Sequence, residues 1–155
     1  MERIFIDANP FIYFLSNVIK KSDKVQRILE NNENEFYTSY AVLNEVKFRL
    51  LMNKAIEEYK TNKKYELIKI VNTNSELRAS VIERYLKFFL SISQLVKILD
   101  LDATTEKVAC SLIIEYGLLP TDASIVAGML KNDIKKILTD DSDFKKVDVI
   151  EVIEV

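Results

Sequence analysis

Short apolar runs alternate along this chain with longer stretches whose apolar residues recur every three or four positions. Ile4-Phe5-Ile6 closes a strand over 3–6, and Pro10 to Leu15 reads as the opening of a first helix, with Pro10 tolerated in a first turn. Ser22 is placed to cap a second helix to about Glu30, whose Val25, Ile28 and Leu29 form one face. Phe36-Tyr37-Thr38 is a short strand, and Ser39 caps a helix carrying Val42, Leu43, Val46 and Leu50 on one stripe. Helical spacing continues through Ala55–Val71, Asn72-Thr73-Asn74 forms a turn, and Ser75 caps a further helix to Leu90 or beyond. Val96–Leu99 is a brief strand. Asp102 or Thr104 opens a helix that stops at Gly117, a left-handed terminator, and Pro120-Thr121 starts the helix from Asp122 to about Leu130, with Thr121 available as its cap. Small Ala123, Ala127 and Gly128 would let this helix lie close to the sheet. Lys136–Thr139 and Val147–Val152 are the last strands. This alternation predicts an α/β fold with a mostly parallel sheet flanked by helices.

With 155 residues, 48% of them hydrophobic, the chain is long enough for one domain, 1–155, with a sizeable core. No run of about 18 apolar residues occurs and a strand pattern begins at once, so neither a membrane span nor a signal peptide is visible and a cytoplasmic location is expected. The single cysteine, Cys110, sits among Val108, Ala109, Leu112 and Ile113 and is expected to be a small core residue.

Absences narrow the chemistry further. There is no histidine, which removes Ser-His-Asp and Cys-His nucleophiles, histidine zinc sites and imidazole-based RNA cleavage. With only Gly117 and Gly128, no phosphate-cradling glycine loop is present. Carboxylates, hydroxyls, lysines, arginines and tyrosines remain for catalysis, and hard oxygen donors suit Mg²⁺ or Mn²⁺.

Four acidic residues stand where a strand ends or a helix turns inward: Asp7 in I-F-I-D-A-N, Glu45 in T-S-Y-A-V-L-N-E-V, Asp122 in L-L-P-T-D-A-S-I-V-A and Asp141 in I-L-T-D-D-S-D-F. Each has a plainer reading. Asp7 and Asp122 could be helix caps, Glu45 could pair with Arg49 one turn on, and Asp140, Asp141 and Asp143 could share a solvated loop, although like charges at such spacing repel unless a cation relieves them. Asn9 could cap the first helix. Asp100 and Asp102 read as loop and cap residues.

The order, spacing and flanks of these four motifs resemble the PIN-domain family of metal-dependent ribonucleases, in particular its small single-domain members, the VapC-type toxins. The resemblance spans essentially the whole chain. It implies a PIN-like three-layer α/β/α sandwich, with a sheet of about 4–5 strands and a helical hairpin inserted between roughly residues 54 and 95. It also implies that Asp7, Glu45, Asp122 and Asp141 bind Mg²⁺ or Mn²⁺ and are catalytic, with Asn9, Thr139 and Asp143 in support and Asp140 at a variable position. RNA hydrolysis to 5′-phosphate and 3′-hydroxyl ends, a homodimer and a small antitoxin partner follow from the same resemblance.

A net charge of −2 does not favour RNA as a whole, so binding requires local basic charge. Residues 47–69 carry Lys47, Arg49, Lys54, Lys60, Lys63, Lys64 and Lys69 against Glu57, Glu58 and Glu66, and Lys47, Arg49 and Lys54 are the candidate RNA contacts. A solvated helix face explains these lysines equally well. Phe11, Phe14, Phe88 and Phe89 fit core or interface packing better than base stacking. Rival readings are a housekeeping RNA-processing nuclease, a metal-free PIN-like scaffold binding RNA or protein, and a receiver-type α/β protein; the last needs an early acidic pair and a late lysine that this chain lacks.

Overall fold

The computed structural model describes residues 1–16 and 18–155. Five strands, β1 (Glu2–Ile6), β2 (Asn34–Ser39), β3 (Val96–Leu99), β4 (Lys136–Leu138) and β5 (Glu151–Ile153), form one sheet in the order β3-β2-β1-β4-β5, every pairing parallel. Between them run α1 (Ala8–Leu15), α2 (Ile19–Leu29), α3 (Tyr40–Tyr59), α4 (Lys64–Thr73), α5 (Ser75–Ile92), α6 (Ala103–Tyr116) and α7 (Pro120–Lys131). The α/β class and parallel sheet expected from the alternation are what the chain forms. Ile4, Phe5, Ile6, Ile137 and Leu138 are buried at the sheet centre, as strands covered on both faces require.

The strand order runs outward from β1 through β2 to β3, then restarts on the other side of β1 with β4 and β5. Chain direction therefore diverges between β1 and β4, and a crevice opens beyond their carboxyl ends, where open α/β sheets bind ligands. The register pairs Ile6 with Leu138, so the next residues, Asp7 and Thr139, emerge side by side at that point.

Local differences from the sequence reading have identifiable causes. Ser22 lies inside α2, which starts three residues earlier after Val18. The spacing through Ala55–Val71 conceals a break: α3 ends at Lys60, which takes a left-handed φ of 53°, and α4 begins after Lys63. Neither Gly nor Pro marks this break. Asn74, not Ser75, caps α5, its side chain accepting from the Leu77 N–H at 2.9 Å. Leu119 occupies the cap position of α7, so Thr121 does not cap it, and Pro120 sits in the first turn where its missing N–H costs nothing. The last strand begins at Glu151 because a 3-10 turn over Ser142–Lys146 intervenes, with Val147 buried beneath it. Gly128 faces Leu101 rather than the sheet: a Cβ there would stand 3.0 Å from Leu101 Cδ2.

Cys110 is exposed, contrary to the core position expected of it. The inward stripe of α6 is Thr105, Ala109 and Leu112, and Cys110 lies one position, about 100° of helix, beyond it. Other expectations hold: Ser39 caps α3 through the Val42 N–H, Asp102 caps α6 in a reciprocal box with Thr105, and Gly117 ends α6 with φ 64°. Among the described residues no single helix is long and apolar enough to cross a membrane.

Candidate active site

Asp7 occupies the cap position of α1, but its side chain does not cap that helix. It is 5% exposed, and its Oδ2 accepts a 2.6 Å hydrogen bond from the Thr139 hydroxyl across the β1–β4 boundary. Burial pushes the Asp7 carboxyl above its ordinary value, the Thr139 bond opposes that, and the neighbouring charges of Glu45 and Asp141 add to the rise. The same Thr139 oxygen accepts the Asp141 N–H at 3.0 Å, so one buried hydroxyl orders two of the four acids.

Asp141 caps the 3-10 turn, its Oδ1 accepting the Asp143 N–H at 2.8 Å. Asp122 projects from the first turn of α7, a helix buried almost all round through Ala123 and Ile125 to Met129, and is itself half-buried. Its carboxyl is pushed up to about 6, first by burial and then by the charges of Asp141, Asp7, Asp143 and Glu45. Glu45 stands half-buried on α3, 3.5 Å from Arg49 Nη1. Asp7, Glu45, Asp122 and Asp141 thus face one another electrostatically although they come from β1, α3, α7 and the turn after β4.

The supporting residues divide. Asn9 does not cap α1; its Oδ1 accepts from Arg49 Nη1 at 2.6 Å, which brings Arg49 to the rim of the acidic pocket. Asp143 lies against the cluster and pairs with Lys146 at 2.8 Å. Asp140 points away from its neighbours, accepting from Tyr13 Oη and the Val155 N–H, each at 2.9 Å, and from Lys21. Burial would raise its carboxyl, but the Lys21, Val155 and Tyr13 bonds hold it below the usual range.

Of the candidate RNA contacts only Arg49 touches a cluster residue. Lys47 lies over the Tyr85 ring, 5.5 Å from its centroid, and Lys54 pairs with Glu58 at 3.0 Å on the same helix. Lys146 and the Tyr13–Lys21 pair were missed by the sequence reading. The i,i+3 spacing from Asp143 could have pointed to Lys146, but no local pattern links Tyr13 to a residue more than a hundred positions away.

The donor set is all hard oxygen, and burial plus repulsion from the neighbouring acids push the Asp122 carboxyl up to about 6, a strain that a divalent cation would relieve. Among the described residues no three of these acids stand close enough together to hold a metal ion as the side chains lie, so a cation would have to draw them in. An ion that keeps several waters, as Mg²⁺ does, fits such an open set.

A PIN-domain profile matches residues 82–150. Ribonuclease VapC2 of Methanocaldococcus jannaschii is 30% identical over 156 residues, covering 99% of this chain and 94% of the relative. The chain belongs to the VapC family of PIN-domain ribonucleases. VapC20 of Mycobacterium tuberculosis, a toxin that cleaves the sarcin-ricin loop, shares the fold with a TM-score of 0.63 at 17% identity, covering 96% of this chain and 98% of that one. A chain of a toxin-antitoxin complex from Klebsiella pneumoniae gives 0.62 at 15% identity over 98% of this chain and 99% of its own length.

Proposed function

We propose that this chain is a Mg²⁺- or Mn²⁺-dependent endoribonuclease, formed by a single domain over residues 1–155, and the toxin of a toxin–antitoxin pair. What supports this is the charge that Asp7, Glu45 and Asp141 bring to bear on Asp122 near the β1–β4 divergence, in a chain related over nearly its whole length to a VapC ribonuclease. The four carboxylates would hold the ion. Bound there, it supplies Lewis-acid stabilisation of the phosphodiester and a water activated near neutral pH.

The chain's own residues do the rest. Thr139 fixes the Asp7 carboxylate by donating to its Oδ2. Asp122, its carboxyl pushed up to about 6, would be held in its ionised form by the bound cation. Arg49 and Lys146 rest on the outer acids Glu45 and Asp143, and both are well placed to exchange those partners for RNA phosphates. Hydrolysis would leave 5′-phosphate and 3′-hydroxyl ends. The related toxin–antitoxin assemblies support a small antitoxin as partner; a homodimer and a cytoplasmic location belong to the same reading.

Incubating purified protein with a defined RNA in Mg²⁺ and mapping the ends tests this. Internal cuts bearing 5′-phosphates, abolished by EDTA and reduced at least ~100-fold in Asp122→Asn, are expected. Cleavage that persists in EDTA or in that variant would overturn it.

A further inference from the structure

We infer that Asp140 is a positioning residue for the active site, acting on Asp141 through a clamp with Tyr13, Lys21 and the Val155 backbone. The inference rests on the metal-site reading above and assigns a role to a residue that the reading leaves unused.

Three groups from three separate parts of the chain meet on the Asp140 carboxylate. Oδ2 accepts from the Tyr13 hydroxyl of α1 at 2.9 Å and from the Lys21 ammonium of α2, while Oδ1 accepts from the Val155 N–H beyond β5 at 2.9 Å. Lys21 also lies over the Tyr13 ring, 4.5 Å from its centroid, so the two donors support each other. The segment after β5 is tied in separately, Lys24 of α2 donating to the Glu154 carbonyl at 2.7 Å and Lys145 of the 3-10 turn pairing with the Glu154 carboxylate.

The geometry gives the clamp a direction. Tyr13 lies on the helix that begins immediately after Asp7, and Asp140 immediately precedes Asp141. A short rigid path therefore runs from Asp7 along α1 to Tyr13, across to Asp140 and on to Asp141. The Asp7–Thr139–Asp141 path is the other connection between the same two acids, on the inner side of the turn. With Thr139 holding the turn from within and Asp140 from outside, Asp141 cannot swing away from Asp7 unless one tie breaks. Asp140 is spent on this outer tie and faces its three donors rather than the pocket, so it acts on the site only through its neighbour. Outer partners that orient metal ligands commonly change affinity or activity by about 10- to 100-fold.

Mn²⁺ binding by the RNA-free protein, followed by calorimetry, tests the clamp. Asp140→Ala, Lys21→Met and Tyr13→Phe are each expected to weaken binding, Asp140→Ala by about 10-fold or more. Asp140→Ala combined with Lys21→Met should be no weaker than Asp140→Ala alone, because both break one clamp. RNA cleavage by Asp140→Ala should recover at high Mg²⁺ with KM for RNA little changed, which general loss of folding would not allow. Wild-type Mn²⁺ affinity in Asp140→Ala, with or without a lower melting temperature, would overturn the proposal. Asp122→Asn is the control: if it too binds Mn²⁺ like the wild type, the metal-site reading itself fails, whereas loss in Asp122→Asn alone removes only the clamp.

Discussion

The half-buried Asp122 carboxyl, pushed up to about 6 by burial and by four neighbouring acids, couples the chemistry of the site to the stability of the fold. Its pKa in the folded chain lies above the ordinary 3.8, so its contribution to stability is fully present below about pH 4 and is lost as pH rises toward 6. Asparagine carries no charge at any of these values. Metal-free Asp122→Asn should therefore match the wild type near pH 4 and be more stable at pH 7, by about 1 kcal/mol once solvent screening of a half-exposed group is allowed for. Denaturant melts at the two pH values check this. A variant less stable at pH 7 would make Asp122 a structural partner rather than a strained ligand. Asp7 shares the strain but is held by Thr139, and asparagine at that position can still accept the same hydroxyl.

Among the elements, β1 and β4 matter most, because their parallel register sets Asp7 beside Thr139. Thr139→Val keeps the β-branched shape that suits this strand end but removes the hydroxyl that donates to Asp7 and accepts from Asp141. Cleavage should fall about 10- to 100-fold with the fold retained, as shown by an unchanged far-ultraviolet spectrum and a cooperative melt. Full activity would mean that the register alone orders the two acids.

What the sequence made legible follows the same logic. The strands bearing Asp7 and Thr139 stand out because buried parallel strands read as continuous apolar runs, and α6 stands out because Asp102 and Gly117 punctuate it. Asp7 and Asp141 stand out in the sequence because they follow apolar strand runs, and Asp122 because Pro120 marks the start of its helix. The break at Lys60 was not, because a lysine adopts the left-handed conformation there without the glycine that usually announces it. Cys110 was misplaced because apolar neighbours in sequence do not share a helix face, and the face chosen by Thr105, Ala109 and Leu112 passes it by. The Asp140 clamp was invisible because all three of its partners are brought in by tertiary structure.

At the scale of the whole molecule, a net charge of −2 has to coexist with the polyanionic RNA of the proposed function. Three lysines of the basic stretch are engaged elsewhere: Lys47 lies over the Tyr85 ring, Lys54 pairs with Glu58 on α3, and Lys63, at the start of α4, pairs with Glu66. Arg49 on the pocket rim is the cation that both Asn9 and Glu45 turn toward the acids. Arg49→Gln should weaken RNA binding across sequences and reduce the dependence of log K on log salt by about 0.7, the share of one phosphate contact on a single strand. Binding titrations at several salt concentrations measure this, and an unchanged slope would take Arg49 off the RNA path.

Catalysis as proposed requires Asp7, Glu45, Asp122 and Asp141 to hold one divalent-ion site. Anomalous diffraction from crystals of the protein grown with Mn²⁺ addresses that directly. The predicted result is a Mn²⁺ peak bounded by these four side chains, within direct or single-water reach of each and absent from Asp122→Asn crystals grown the same way. A well-bound Mn²⁺ elsewhere with none in this pocket, or a pocket peak that survives Asp122→Asn unchanged, would contradict it.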